Sequence, residues 1–192
     1  MPGRIVLVRH GLSTHTHRGA VDRTGVERWR AAYDAAGIQP SPAPPADLVA
    51  LTAESAHVVA SDLPRAIESA KLLAPGREIR IEPLVREAPM AVPRWPTPLP
   101  LVVWGTVMYA RWSYRRMRGV DVTEPDWERA TAAARWLSDL VADGSTAVVV
   151  THGIFRKLLA TNLTLLEWLA AGRRGGYRHW SAWDFTRPPA GG

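Results

Sequence analysis

Ile5-Val6-Leu7-Val8-Arg9-His10-Gly11 opens the chain with an apolar run that breaks off at a guanidinium, an imidazole and a glycine. Four branched apolar residues bounded by polar ones read as a strand buried on both faces, the kind that parallel sheets use. The pattern returns far along the chain, where Ala147-Val148-Val149-Val150 runs into Thr151-His152-Gly153. Open parallel α/β sheets collect their chemistry in the crevice at the carboxyl ends of the strands. Two strand-terminal histidines, His10 and His152, therefore predict one shared site.

The segments around these strands set the order of elements. Residues 11–25 have the composition of an active-site loop, and residues 26–36 read as a short helix with Trp29 and Tyr33 four apart. Gln39-Pro40-Ser41-Pro42-Ala43-Pro44-Pro45 cannot continue that helix, because proline lacks the amide donor and restricts the residue before it. Too little chain precedes this stretch to fold alone, so it is a stiff connector inside one domain. His57-Val58-Val59-Ala60 is a second strand candidate, with Ser61 and Asp62 as caps of a helix that starts at Pro64 and runs to about Leu73. Residues 78–81 alternate like a strand, and a proline-rich stretch follows from Pro89 to Pro100.

Leu101, Trp104, Met108 and Trp112 share one helix face, with Arg111, Arg115 and Arg118 on a neighbouring one. Residues 88–122 are read either as a cap or lid over the site or as a helix that packs its aromatics into the core. The apolar run 99–110 is correspondingly interior or the surface of a homodimer. Thr123-Glu124-Pro125-Asp126 has capping-box spacing, and Ala130, Ala133, Ala134, Leu137 and Val141 sustain a helical period that Gly144 can end. Residues 146–151 form a buried strand, 154 to about 170 a helix, 177–185 a last edge strand, and 187–192 a frayed tail.

A chain of 192 residues with 46% hydrophobic content can bury one core without disulfides or structural metal, so a single domain is expected over residues 1–192. The absence of cysteine excludes a cysteine nucleophile, a thiolate zinc site, an iron–sulfur cluster and a disulfide framework, and it fits a reducing compartment. The amino-terminal strand pattern is too short for a signal peptide, and the run 99–110 falls well short of the roughly 20 residues needed to span a bilayer. A cytoplasmic protein with no membrane partner is expected. Of the 24 basic residues behind the net charge of +6, only Lys71 and Lys157 are lysines. Arginine forks match phosphate and carboxylate, which suits a small anionic ligand. Arg115-Arg116-Met117-Arg118 and Arg173-Arg174 are short clusters without the repeated basic and aromatic pattern of a nucleic-acid reader, so no nucleic-acid partner is expected.

Without cysteine, covalent chemistry falls to His, Ser, Thr or a carboxylate. Neutral imidazole attacks phosphorus and holds a phosphoryl group as phosphohistidine, splitting one difficult transfer into two easier ones. His10 is placed for that role. A phosphoryl group in transit spreads negative charge over three oxygens and needs fixed cations around it. Arg9 is one candidate. Arg65 is the other, in the first turn of a helix whose terminal amides also favour an anion. His15 and His17 fall on one side of an extended segment and, with His10, pose a zinc reading. No carboxylate stands nearby at helix-fixed spacing, so they are read as solvated loop histidines and no metal is expected.

Val8-Arg9-His10-Gly11, Ser61-Asp62-Leu63-Pro64-Arg65-Ala66-Ile67-Glu68-Ser69-Ala70, Arg86-Glu87-Ala88 and Val150-Thr151-His152-Gly153 together resemble the histidine phosphatase, or phosphoglycerate mutase-like, superfamily. The motifs stand in the family's order and span residues 8 to 153. The resemblance implies a three-layer α/β/α domain with a largely parallel central sheet and a metal-independent reaction without cofactor. It implies His10 as the phosphorylated nucleophile, Arg9, Arg65 and His152 as the phosphate pocket, and Glu87 as the proton donor, with Asp62 as the reserve acid. The chain also departs from the family. The usual glycine-containing segment and Trp-Glu-Gly run after the acid are replaced by Ala88-Pro89-Met90-Ala91-Val92-Pro93. Leu12 follows the first triplet where many members carry an acid or glutamine, and Thr16 stands where an asparagine would fall; its hydroxyl can still donate to a phosphate oxygen. The expected activity is hydrolysis of a small phosphomonoester through phosphohistidine. The alternatives are a phosphoglycerate mutase-type isomerase, against which the short chain and the missing run argue, and a catalytically silent anion-binding domain.

Overall fold

In the computed structural model, which describes residues 3–118 and 124–187, apolar runs and helical periods alternate along the chain. It proceeds through β1 (Arg4–Arg9), β2 (Ala20–Val21), α1 (Arg23–Ala35), α2 (Ala46–Glu54), β3 (His57–Ala60), α3 (Pro64–Leu73) and β4 (Arg80–Ile81). A 3-10 turn at Pro83–Val85 leads to β5 (Leu99–Pro100), α4 (Leu101–Met117), α5 (Glu124–Leu140), β6 (Thr146–Thr151), α6 (Gly153–Leu165), β7 (Leu169–Arg174) and β8 (Ala182–Thr186). The central sheet has the order β4-β3-β6-β1-β8-β7. Its first four strands are mutually parallel, while β8 runs antiparallel to both β1 and β7.

The period of two along each strand divides the core between the two faces of the sheet. Ile5, Leu7, Val59, Ala147 and Val149 pack against Ala130, Ala133, Ala134 and Leu137 of α5 and Phe155, Leu158 and Leu159 of α6. Val6, Val8, Val58, Ala60, Val148 and Val150 pack against Leu48 of α2 and Ala66, Ala70 and Leu73 of α3. Helices thus cover both faces, and the expected three-layer α/β/α arrangement with a mostly parallel sheet is the one observed. A third, small core of Val26, Trp104 and Met108 ties α1 to α4, where Trp104 Nε1 donates to the Val21 carbonyl at 2.8 Å and β2 pairs with β5. Among the described residues, no helix is long and apolar enough to cross a membrane.

Several expected boundaries move. The helix expected at residue 26 begins at Arg23, because the Asp22 carboxylate accepts from Gly25 N at 2.7 Å and caps it. β2 and the start of α1 therefore lie inside the stretch read as one loop. Helix α2 was not anticipated. Ser61 and Asp62 do not cap α3; Leu63 is the N-cap, Pro64 occupies the first turn, and the Asp62 carboxylate instead takes Arg86 Nε at 2.9 Å. The strand expected over 78–81 shrinks to Arg80–Ile81. Helix α6 stops at Leu165 rather than near 170, since Glu167 turns into the left-handed region at φ 65° and β7 begins two residues later, at Leu169. The sheet edge is consequently β7, and β8 lies inside it. Gly144, at φ 87°, follows α5 as expected. Thr123 of the capping-box reading, the end of the 88–122 segment and the tail from 188 lie outside the described residues.

Candidate functional site

Because β1, β6 and β3 run parallel, with Arg9 opposite Thr151 and Ala60 opposite Val150, the residues that follow each strand emerge side by side. His10 N donates to Thr151 O at 3.1 Å and Ser61 N to Val150 O at 3.0 Å, continuing the ladder past the last pairs. This brings the His10 and His152 rings to 5.1 Å between centroids, with the residues only 1% and 0% exposed. His10 Nδ1 lies 2.7 Å from Gly11 O. A carbonyl oxygen only accepts, so this bond assigns the proton to Nδ1 and leaves the lone pair on Nε2. His152 Nε2 is 2.8 Å from Ser61 Oγ, while its Nδ1 is buried and has no partner among the described residues. Burial pushes both imidazoles well below the usual histidine pKa, and the Arg65 and Arg9 charges push in the same direction.

Arg65 is fully buried and fixed by three contacts. Its Nη1 donates to Tyr33 O at 2.9 Å, its Nη2 reaches Asp34 Oδ1 at 3.1 Å, and its guanidinium stacks 4.3 Å from the Tyr33 ring centre. Arg9 Nη1 donates to Tyr177 O. Among the described residues, the Nε of each arginine is buried and finds no partner. Unsatisfied buried donors of this kind are costly, and two guanidiniums bordering one cavity suit an anion.

Glu87 arrives from the other side, on the segment after the 3-10 turn. Its Oε1 accepts from Ile154 N at 3.1 Å and Phe155 N at 2.8 Å, which seats the carboxyl on the first turn of α6 next to His152. Ala88 N adds a third bond at 3.0 Å. Burial raises the Glu87 pKa above the ordinary carboxyl value, against the opposing pull of these amides. Arg129 of α5 secures the segment. It donates to Leu84 O at 3.0 Å and Arg86 O at 2.6 Å, pairs with Asp126 and lies 4.2 Å from the Phe155 ring centre. Asp62, the reserve acid, is committed to Arg86.

A cavity of about 840 Å³ opens above these groups. Arg9, Arg65 and Glu87 border it below; Trp29, Tyr33, Met90, Met108 and Tyr109 form much of the rest, with Trp29 stacked on Tyr33 at 4.9 Å. Thr16 and His15 also border it. His10 makes ring contacts with Tyr33 and His179 of the lining, and His152 packs against His10. Of residues 88–118, Ala88, Pro89, Met90, Met108 and Tyr109 border the cavity, whereas Arg111, Arg115 and Arg118 do not line it. His15 packs 6.0 Å from Trp29, and among the described residues no group of three or more His, Cys, Asp or Glu is arranged to hold a metal ion.

All five residues singled out from the sequence for phosphate and proton chemistry therefore meet at one place, and Thr16 stands on the cavity wall. Three neighbours escaped sequence reasoning: Tyr33, which was read only as a helix aromatic; Arg129, whose role depends on carbonyls far away in sequence; and His179, whose ring lies 5.5 Å from His10. The clue to His179 was its place after a paired glycine, Gly175-Gly176, in the region read as strand.

No protein-family model matches the chain, and no curated protein matches its sequence. Solved structures do. One is phosphoserine phosphatase from Entamoeba histolytica in complex with 3-phosphoglyceric acid, 19% identical with a TM-score of 0.56 over 85% of this chain and 80% of that one. A mycobacterial glucosyl-3-phosphoglycerate phosphatase complexed with VO3 is 21% identical with a TM-score of 0.55, over 85% and 82% of the two chains. Ecdysone phosphate phosphatase from Bombix mori in complex with tungstate is 16% identical with a TM-score of 0.52, over 98% and 93%. The chain has the phosphoglycerate mutase-like fold of these phosphatases.

Proposed function

We propose that this protein is a phosphomonoesterase that hydrolyses a small phosphorylated molecule through a phosphohistidine on His10. The observation that carries the reading is the pairing of a buried neutral His10, its Nδ1 tied to Gly11 O, with the two arginines whose Nε donors lack acceptors. The likeness in fold to phosphatases of phosphoserine, glucosyl-3-phosphoglycerate and ecdysone phosphate supports it.

In this reading His10 Nε2 attacks phosphorus as the ester P–O bond breaks, and Glu87 gives its proton to the departing oxygen. Arg9 and Arg65, with His152 and the Thr16 hydroxyl, hold the three non-bridging oxygens. Glu87, now a carboxylate, takes a proton from water as that water attacks phosphorus and the P–N bond breaks, which restores both groups. The raised Glu87 pKa supports the first role, because a carboxyl must be protonated to act as an acid. The scheme needs no metal and no cofactor. A single domain and a cytoplasmic place of action complete the reading, the latter supported by the cysteine-free sequence.

The test is hydrolysis of para-nitrophenyl phosphate in EDTA by wild type and His10→Ala. Wild-type turnover with none above background in the variant is expected. Equal activity in the two would remove His10 from the reaction, and mutase activity on a phosphoglycerate exceeding hydrolysis would make the protein an isomerase.

A further inference from the structure

We propose that His179 is a third imidazole of the phosphoryl site, hydrogen-bonding a non-bridging oxygen of the group that His10 carries. The inference rests on the phosphatase reading above and adds a ligand contact that no motif of the sequence marks.

The first support is position. Three rings surround His10: Tyr33 at 6.4 Å, His152 at 5.1 Å and His179 at 5.5 Å. Of the two imidazoles, only His179 also borders the cavity, beside Arg9. His10 and His179 make no hydrogen bond to each other, yet their ring centres are close enough for one oxygen to touch both. Since His10 Nδ1 is occupied by Gly11 O, the reactive edge is the opposite one, at Nε2.

The second support is how heavily the backbone is fixed around this side chain. Arg9 N donates to Ser181 O and Trp180 N to Arg9 O, both at 3.0 Å, so the turn is bonded directly to the end of β1. Trp180 sits at φ 61°, a strained conformation for a bulky residue. Its indole donates to Pro42 O at 2.9 Å, and buried Arg156 donates to Ser181 O at 2.7 Å and Ser181 Oγ at 2.9 Å. Strain of this kind persists only where the surroundings over-determine it, and it clusters at functional sites. What the strained turn delivers to the cavity is the His179 ring.

The third support is chemistry. No ring nitrogen of His179 has a hydrogen-bond partner among the described residues, so its bonding capacity is free for a ligand. Burial and the Arg9 charge lower its pKa to about 4, so at neutral pH the ring offers one N–H and one lone pair without adding a third fixed charge beside Arg9 and Arg65.

The experiment compares wild type, His179→Asn and His179→Phe by orthovanadate inhibition and by kcat and KM on para-nitrophenyl phosphate. Loss of a hydrogen bond to a charged group predicts roughly tenfold or more weaker vanadate inhibition in His179→Phe. A matching fall in kcat/KM is expected, with partial recovery in His179→Asn, which keeps an N–H donor. Wild-type vanadate inhibition in His179→Phe overturns the proposal, and so does an equal or greater loss in His179→Asn, which would show that an N–H donor at this position does not matter. If His179→Phe does not fold, His179→Ala supplies the same comparison. Failure of the phosphatase reading is separate: it appears as inactive wild type or active His10→Ala, whatever residue 179 is.

Discussion

The floor and the roof of the cavity are built on opposite plans. In the floor, His10, Ser61 and His152 leave three adjacent parallel strands, and backbone bonds extend the ladder to His10 and Ser61. In the roof, Met90 comes from an irregular segment and Met108 and Tyr109 from α4, a helix that buries only Trp104 and Met108 and leaves Val102, Tyr114 and Met117 largely exposed. The sheet fixes the groups to which the proposed reading assigns the chemistry, while the thinly packed part lines the rest of the cavity. Functional loops on a rigid scaffold divide labour in the same way.

The largest expected effect tests the floor. Glu87→Gln keeps an acceptor for the α6 amides but has no proton to give, so kcat on para-nitrophenyl phosphate should fall by on the order of 10² to 10⁴. In wild type the alkaline limb of kcat/KM should lie above the ordinary carboxyl range, because burial keeps Glu87 protonated to higher pH. That limb should vanish in the variant; an unchanged profile would move the acid elsewhere. The next effect tests the roof. Trp104→Ala should cost about 3–5 kcal/mol of stability, measured by urea unfolding. At a temperature where the variant is folded, kcat should stay within a few-fold of wild type while KM rises. Collapse of kcat would show that floor and roof are one unit.

A smaller effect concerns pH. The folded-state pKa values of His10 and His152 lie well below 6.5, so as pH falls through that value the unfolded chain binds protons that the folded chain refuses. Stability should therefore be fully present above about pH 6.5 and be lost on acidification, by up to roughly 1.4 kcal/mol per pH unit for each histidine. Thermal melts of wild type and His152→Asn should show a shallower acid slope in the variant. The smallest effect is expected for Arg111→Ala on the exposed outer side of α4: stability within about 0.5 kcal/mol of wild type and unchanged kcat/KM. A loss of activity there would make the roof arginines ligand contacts after all.

The same division explains what could be read from the sequence. β1 and β6 are continuous apolar runs whose period and length admit one reading, and their ends carry the histidines. The positions of Arg65 and Glu87 followed from motifs anchored to those strands. The rest depends on distant partners. β2 and β5 are two residues each and exist only because they pair with one another. β7, Leu-Ala-Ala-Gly-Arg-Arg, is exposed along its whole length and has no apolar alternation; its first two residues fall at the end of the helix expected to about 170, which no glycine or proline stops, because the turn is made at Glu167. His179 reaches the site only because Trp180 adopts a backbone conformation that its side chain disfavours.

Gly11 bears on how such triplets are recognised. Its φ is not in the left-handed region, so the chain does not need a glycine there to turn. A β-carbon at this position would meet the Trp180 ring at 2.5 Å. The third letter of Arg-His-Gly is thus set by an aromatic near the other end of the chain, and positions 11 and 180 are spelled together: a larger residue at one is legible only beside a smaller residue at the other. A short motif here is the visible half of a two-part word.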